Sequence, residues 1–197
     1  MATDLLPAYL AVGPDELKRN KMVERLKKRL DESFSAFNLD EFTGPTVDID
    51  VLVSALQTMP MGDSRRIVIL READKLSKAA SEVVILYLEN PNPTTTLLLT
   101  AQTLARTTRL YKAVAKIGAK SVVLCASMKP RELAPYVQKL AASYGLVIDF
   151  SAAQELVDRV GDSTTMLDAQ VKTLAALSDG QPITTSFVEQ HIARVAE

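Results

Sequence analysis

Residues 56–76 read LQTMPMGDSRRIVILREADKL, and this stretch decides the fold. Its aliphatic run at 67–70 (IVIL) is rich in β-branched residues and contains no polar residue. A continuous run of this kind predicts a strand that is buried on both faces of a parallel sheet. A turn with Pro60 and Gly62 precedes the strand, and the largely charged segment 71–75 ends it. We therefore predict an α/β fold built around this buried strand.

Strand-like and helix-like segments alternate on both sides of this stretch. Further aliphatic runs predict strands at 9–12, 95–100 and 121–124, and apolar residues of 34–42 lead into one more. Helical spacing of apolar residues predicts helices over 15–30, 48–57, 77–88 and 107–117. Repeated units of this kind imply a five-stranded parallel sheet that is covered by helices on both sides.

The pattern of the chain changes after Pro130. Helical spacing without intervening strands predicts amphipathic helices over 131–144, 151–160, 164–177 and 184–195. We expect a domain boundary near 127–130. It would separate an α/β domain at 1–128 from a small all-helical domain at 129–197.

Composition and charge exclude several classes of protein. The net charge is -1 and the pI is near 5.9, which argues against a strongly basic protein that binds nucleic acid alone. We expect neither a membrane span nor a signal peptide, and a reducing cytoplasm as the location. With one cysteine, Cys125, and one histidine, His191, an internal disulfide and a zinc site are both excluded.

The loop after the first strand is where a phosphate-binding loop would lie. That loop requires Gly-x-x-x-x-Gly-Lys-Ser/Thr, so that backbone and Lys hold phosphates while the hydroxyl holds Mg²⁺. Counting from Gly13, the second Gly, the Lys and the hydroxyl positions hold Lys18, Arg19 and Asn20. The acidic pair at 15–16 would also repel phosphate at a helix N-terminus.

The metal position of such a site is altered as well. ATPases of this architecture carry Asp-Glu after a second buried strand, and the Asp holds Mg²⁺. Here Arg71 and Glu72 follow the strand at 67–70. We therefore predict a degenerate nucleotide site, with no ATP hydrolysis, no bound metal and no cofactor.

Several motifs in a fixed order resemble one family, the delta subunit of the bacterial DNA polymerase III clamp loader. The resemblance covers nearly the whole chain. Its most specific part is 65–76 (RRIVILREADKL). The other matching segments are 9–16 (YLAVGPDE), 37–38 (FN), 59–63 (MPMGD), 87–91 (YLENP), 96–99 (TLLL), and 160–162 (VGD) with its following helix.

This resemblance implies the architecture of the chain. It implies a Rossmann-like AAA+-type domain followed by a helical lid, in a subunit that does not use ATP productively. Family members continue into a helical collar domain. This chain stops at Glu197, so we expect that it is truncated before the collar.

The resemblance also implies a function and partners. The delta subunit binds the beta sliding clamp and holds its ring open for loading onto primed DNA during chromosome replication. It acts within the polymerase holoenzyme, together with the gamma/tau and delta prime subunits, and meets primer-template DNA through the assembled complex. Its hydrophobic clamp contact corresponds by position to Met59, Pro60 and Met61. Relatives commonly place Leu or Phe there, whereas this tip has no aromatic residue.

Alternatives remain open at this point. Arg65, Arg66, Lys18 and Lys21 are weaker candidates for contacts with the clamp rim or DNA, and such residues are more often solvated or ion-paired. Met59 and Met61 could instead cover the core above the sheet. The alternative functions are an ATP-hydrolysing motor subunit of the loader and a non-catalytic interaction module with another partner.

Overall fold

The structure is a computed structural model that describes residues 5–194. The described residues form two compact units, which divide between Ala126 and Ser127. The first unit contains a five-stranded sheet with the strand order β2-β3-β4-β1-β5. Its strands are β1 (Ala8–Val12), β2 (Leu39–Thr43), β3 (Arg66–Arg71), β4 (Thr95–Ala101) and β5 (Val122–Leu124). All the neighbouring strands are parallel, so the predicted α/β fold is confirmed.

Five helices follow or separate these strands. They are α1 (Glu16–Lys27), α2 (Ser35–Asn38), α3 (Ile49–Gln57), α4 (Lys78–Glu89) and α5 (Arg109–Ile117). Side-chain caps determine several of the helix starts. The Asp15 carboxylate accepts a hydrogen bond from the Lys18 amide at 3.0 Å and begins α1. The caps of α3, α4 and α5 are Asp48, Ser77 and Thr108.

The side chains of β3 alternate between two apolar cores. Val68 and Leu70 pack in a cluster with α3, α4 and α5, whereas Ile67 and Ile69 pack in a cluster with α1. All four side chains are fully buried, as the continuous aliphatic run predicts. Each such burial stabilises the fold by about 1.5–3 kcal/mol. Strand β3 is therefore a rigid base for the loops at its two ends.

The second unit is helical and has its own core. Its helices are α6 (Pro130–Ser143), α7 (Phe150–Val160), α8 (Thr164–Leu177) and α9 (Thr185–His191). The last helix is shorter than the expected 184–195, and residue 195 lies outside the described residues. An isolated parallel bridge joins Ile148 to Ile183 within this unit. Between residues 5 and 194, no helix is both long and apolar enough to cross a membrane.

Candidate functional site

The tip loop, residues 58–65, connects α3 to β3. Helix α3 ends at Gln57, where the Thr58 amide donates to the Ser54 carbonyl at 2.9 Å. The chain then turns through Met59 and Met61, whose side chains are 66% and 61% exposed. The alternative that these methionines cover the sheet core is therefore wrong. Both side chains are accessible to a partner.

A buried asparagine holds the tip loop in place. Asn38 is fully buried, and its side-chain amide donates to the Met61 carbonyl while its oxygen accepts from the Met61 amide, both at 2.7 Å. The Asn38 side chain thus satisfies both backbone groups of Met61, as a neighbouring strand would. This pair of bonds restricts the conformations of the loop, because Asn38 directly precedes β2 in the sheet.

A second contact joins the tip loop to the segment that follows α1. The Asp31 amide donates to the Asp63 carboxylate at 2.9 Å. This hydrogen bond, with further bonds from Ser64 and Arg65, lowers the pKa of the Asp63 carboxyl below its ordinary value of 3.8. The carboxylate therefore stays charged at neutral pH and keeps accepting these hydrogen bonds.

An aromatic ring, that of Phe34, lies beside the tip loop although it is distant in sequence, and Phe37 belongs to the same segment. Gly62 has a φ of +68°, and a Cβ atom added to it would lie 2.4 Å from the ring of Phe34. Phe34 and Phe37 are 36% and 55% exposed. The sequence pattern places both phenylalanines before the second strand. It does not show that this segment folds against residues 61–63.

The structure weakens the candidacy of Arg66 for contact with the clamp rim or DNA, because the residue is buried rather than solvated. The residue is 9% exposed, and its guanidinium pairs with the Asp40 carboxylate. The guanidinium also donates to the Phe37 carbonyl at 2.7 Å. Arg65 is half-buried, and its guanidinium lies 3.3 Å from the Thr96 hydroxyl. Arg65 therefore remains the only member of this pair that a partner could reach.

The loop after β1 uses its backbone amides within the protein. The Gly13 amide donates to the Ala101 carbonyl at 3.1 Å, and the Asp15 amide donates to the Cys125 carbonyl at 3.0 Å. Pro14, which lies between them, carries no N–H. A Cβ atom at Gly13 would lie 2.2 Å from the Cys125 oxygen, so the loop packs directly on the chain after β5. The Gly13 and Asp15 amides are therefore engaged within the unit.

The side chains at the former phosphate positions are engaged as well. The Lys18 ammonium lies 3.1 Å from the Asp15 carboxylate and donates to the Ala126 carbonyl at 2.8 Å. The guanidinium of Arg19 donates to the Gly13 carbonyl. Lys18 is thus bound to its own unit, which weakens its candidacy for clamp or DNA contact. Lys21 lies on the exposed side of α1.

Arg71 fills the position of the metal-binding carboxylate. Its guanidinium donates to Asn20 at 3.1 Å and pairs with Glu41 at 3.2 Å. Burial raises the pKa of Glu41, but hydrogen bonds and charges from Lys27 and Arg71 outweigh it, so that the pKa lies below 4.5. The neighbouring carboxylate of Glu72 pairs with a lysine, Lys75, at 2.9 Å.

The cavity at this place is small and is lined by basic side chains, among them those of Arg19, Arg71 and Lys75. It measures about 220 Å³, below the roughly 300–1,000 Å³ typical of small-molecule sites. The positive charges of these side chains disfavour a cation there. Among residues 5–194, no group of three or more His, Cys, Asp or Glu side chains is placed to hold a metal ion.

The α/β unit matches one known protein family. The model of the family described as DNA polymerase III, delta subunit, matches residues 9–126, which cover the sheet, the tip loop and the degenerate nucleotide site. The chain belongs to this family. No curated protein sequence matches the chain.

Solved structures show that this delta family member has an AAA+-type fold. The Bacillus subtilis DNA clamp loader delta protein is similar over 96% of this chain and 59% of its own, with a TM-score of 0.71 and 23% identity. The Thermotoga maritima RuvB Holliday junction branch migration motor is similar over 93% and 60%, with a TM-score of 0.62 and 16% identity.

A third solved structure with a similar fold is related to a different subunit of DNA polymerase III. A gamma subunit-related protein of DNA polymerase III from Thermotoga maritima is similar over 90% of this chain and 58% of its own. Its TM-score is 0.52 and its identity is 18%. The chain thus spans about 60% of the length of each of these proteins.

Proposed function

We propose that this chain is the clamp-binding part of a delta subunit, which binds the beta sliding clamp and holds its ring open for loading onto primed DNA. The observation that supports this function best is the tip loop. It presents two exposed methionines on a backbone that Asn38 and Asp63 hold in one conformation.

The tip has the physical properties of an anchor for an apolar pocket. Met side chains are flexible and polarisable, so they adapt to the shape of a pocket on a partner. Burying each of them contributes about 1.5–3 kcal/mol. Pro60 and the hydrogen bonds of Asn38 order the loop before binding, which reduces the entropy that binding costs.

Ring opening follows from differential affinity rather than from chemistry in this chain. A ligand shifts an equilibrium only by the difference between its affinities for the two states. If the rigid α/β unit fits a clamp protomer only in its open-ring shape, the affinity of the tip selects the open ring. The ATP that drives the cycle would then be bound by the gamma/tau subunits.

The remaining parts of the proposal concern the assembly. In it, the helical unit of this chain acts as a lid, and the partners are the gamma/tau and delta prime subunits. Primer-template DNA meets the assembled complex, with Arg65 and Lys21 as weaker candidate contacts. The motor-subunit alternative is disfavoured, because Arg71 and the Gly13 and Asp15 amides are already paired within the unit.

The decisive experiment measures the affinity of this chain for the sliding clamp of its own organism. We expect Met59→Asp/Met61→Asp to weaken binding at least about 100-fold, because about 3–6 kcal/mol of apolar burial is lost. Met166→Asp is the matched control, since Met166 is an exposed methionine of the helical unit. All variants are first compared for thermal stability.

Each outcome has a definite meaning. Binding that is lost in the tip variant and kept in the control supports the proposed function and its site. Equal binding by all three proteins would place the contact elsewhere. A folded wild-type chain that does not bind the clamp points to an interaction module with another partner.

A further inference from the structure

We propose that Phe34 and Phe37 form the aromatic half of the clamp contact, beside the two methionines of the tip loop. This inference rests on the proposed function and extends it to residues of a different segment. The contact surface then consists of the tip loop and the segment 31–38. We call the segment 31–38 the aromatic shelf.

The first support is the packing of Phe34. Its ring lies where a side chain at position 62 would otherwise be, since a Cβ atom there would approach three ring atoms to 2.4–2.8 Å. Gly62 therefore lets the Phe34 ring reach the surface of the tip between Met61 and Asp63. The tip obtains an aromatic group that its own sequence lacks.

The second support is rigidity. Asn38 binds both backbone groups of Met61, and the Phe37 carbonyl accepts from the buried Arg66 guanidinium. Phe34 is thus four residues from Asn38, which is hydrogen-bonded to the tip loop, and the Phe37 backbone is hydrogen-bonded to β3. Surface aromatics that are already ordered lose little conformational entropy on binding, which is typical of binding hot spots.

The third support is the composition of the surface. Four large apolar side chains, those of Phe34, Phe37, Met59 and Met61, are exposed on two segments that hydrogen-bond to each other. Scattered exposed apolar residues need no explanation, whereas here the Phe34 ring lies directly against position 62 of the tip loop, which indicates one interaction surface. The aromatic shelf adjoins the tip loop, so in this proposal it binds the same part of the clamp as the two methionines.

The test compares Phe37→Ala with Phe150→Ala for clamp affinity. Phe150→Ala is the matched control, because Phe37 and Phe150 are 55% and 57% exposed and Phe150 lies in the helical unit. We expect Phe37→Ala to weaken binding at least about tenfold, and Phe150→Ala to change it less than about twofold. Phe37→Leu, which keeps most of the apolar area, should recover part of the loss.

A double-mutant cycle between Phe37→Ala and Met61→Ala then tests whether the two segments act as one surface. We expect the double variant to lose less affinity than the two single losses combined, because the side chains share one partner region. If the tip variant Met59→Asp/Met61→Asp loses binding while Phe37→Ala binds like wild type, the shelf is refuted and the proposed function stands. A folded wild type that does not bind the clamp overturns both.

Discussion

Asn38 illustrates how one residue determines the form of the candidate site. The Asn side-chain amide carries an NH₂ donor group and a carbonyl acceptor in one plane, as a peptide group carries its N–H and C=O. In the buried position next to Met61, it replaces the two hydrogen bonds that a strand partner would make. An apolar residue there would leave both Met61 backbone groups without these partners, at a cost of about 1–3 kcal/mol for each buried group.

Gly62 provides the sharpest test of the aromatic shelf at the residue scale. We expect Gly62→Ala to destabilise the chain, because the φ of +68° disfavours a Cβ and the Phe34 ring would have to move. The left-handed backbone alone accounts for about 1–2 kcal/mol. The free energy of unfolding is measured by chemical denaturation.

The Phe34→Ala background separates the two causes. Once the ring is removed, Gly62→Ala should cost only the backbone part. The same loss of stability in both backgrounds would show that the ring does not restrict this position.

At the scale of elements, an ion-pair cluster closes the degenerate nucleotide site. The Glu41 carboxylate of β2 lies 2.6 Å from the Lys27 ammonium of α1 and 3.2 Å from the Arg71 guanidinium of β3. The cluster therefore joins one helix to two strands at the carboxyl edge of the sheet. Opposite charges are paired at the place where an ATPase would bind Mg²⁺.

This cluster makes stability depend on pH. The folded-state pKa of Glu41 lies below 4.5, so its contribution is present above that value and is lost as the pH falls through the folded-state pKa. Because Glu41 is partly exposed, we expect Glu41→Gln to cost less than about 1 kcal/mol at pH 7. Denaturation at a series of pH values measures the difference between wild type and variant.

The expected difference shrinks below pH 4.5 and is largest near neutrality. Glu24→Gln is a suitable control, since Glu24 is an exposed carboxylate that lies 3.8 Å from the same lysine. A difference between wild type and Glu41→Gln that stays constant from neutral to acidic pH would contradict the role of this cluster.

The residues at which β3 and α1 begin or end differ from those that the local sequence pattern predicts. The aliphatic run predicts a strand at 67–70, but β3 extends from Arg66 to Arg71. Strand pairing depends on backbone hydrogen bonds, so polar end residues join the strand when a neighbour is present. Helix α1 ends at Lys27 rather than at residue 30, where the Arg29 and Leu30 amides make turn-like bonds to Leu26 and Lys27.

At the scale of the whole molecule, the AAA+-type sheet is present, while other residue types stand at the positions that bind a nucleotide in ATPases of this fold. The strand order and the helices on both sides are those of the fold, and the buried cores do not involve the nucleotide position. The Gly13 and Asp15 amides, Arg19 and Arg71 bind groups of the same unit. The tip loop is joined to this unit by the hydrogen bonds of Asn38 and Asp63.

The nucleotide prediction can be checked by thermal unfolding. We expect Mg-ATP in the millimolar range to leave the unfolding midpoint unchanged within about 1 °C, because a ligand stabilises only a protein that binds it. A protein with an intact phosphate-binding loop, treated in the same way, is the positive control. A midpoint that rises steadily with the ATP concentration would refute the degenerate site.

Local patterns in the sequence determined the class of fold, the alternation of strands and helices and the absence of a phosphate-loop motif. These features depend on residue type and spacing over a few positions, which the chain itself displays. The tertiary structure alone decided which distant residues meet: Asn38 with Met61, 23 positions apart, and Arg66 with Phe37, 29 positions apart. Pairing of β2 with β3 brings these segments together, and no local periodicity specifies such a pairing. For that reason the contact of the Phe34 ring with position 62 and the burial of Arg66 became visible only in the folded chain.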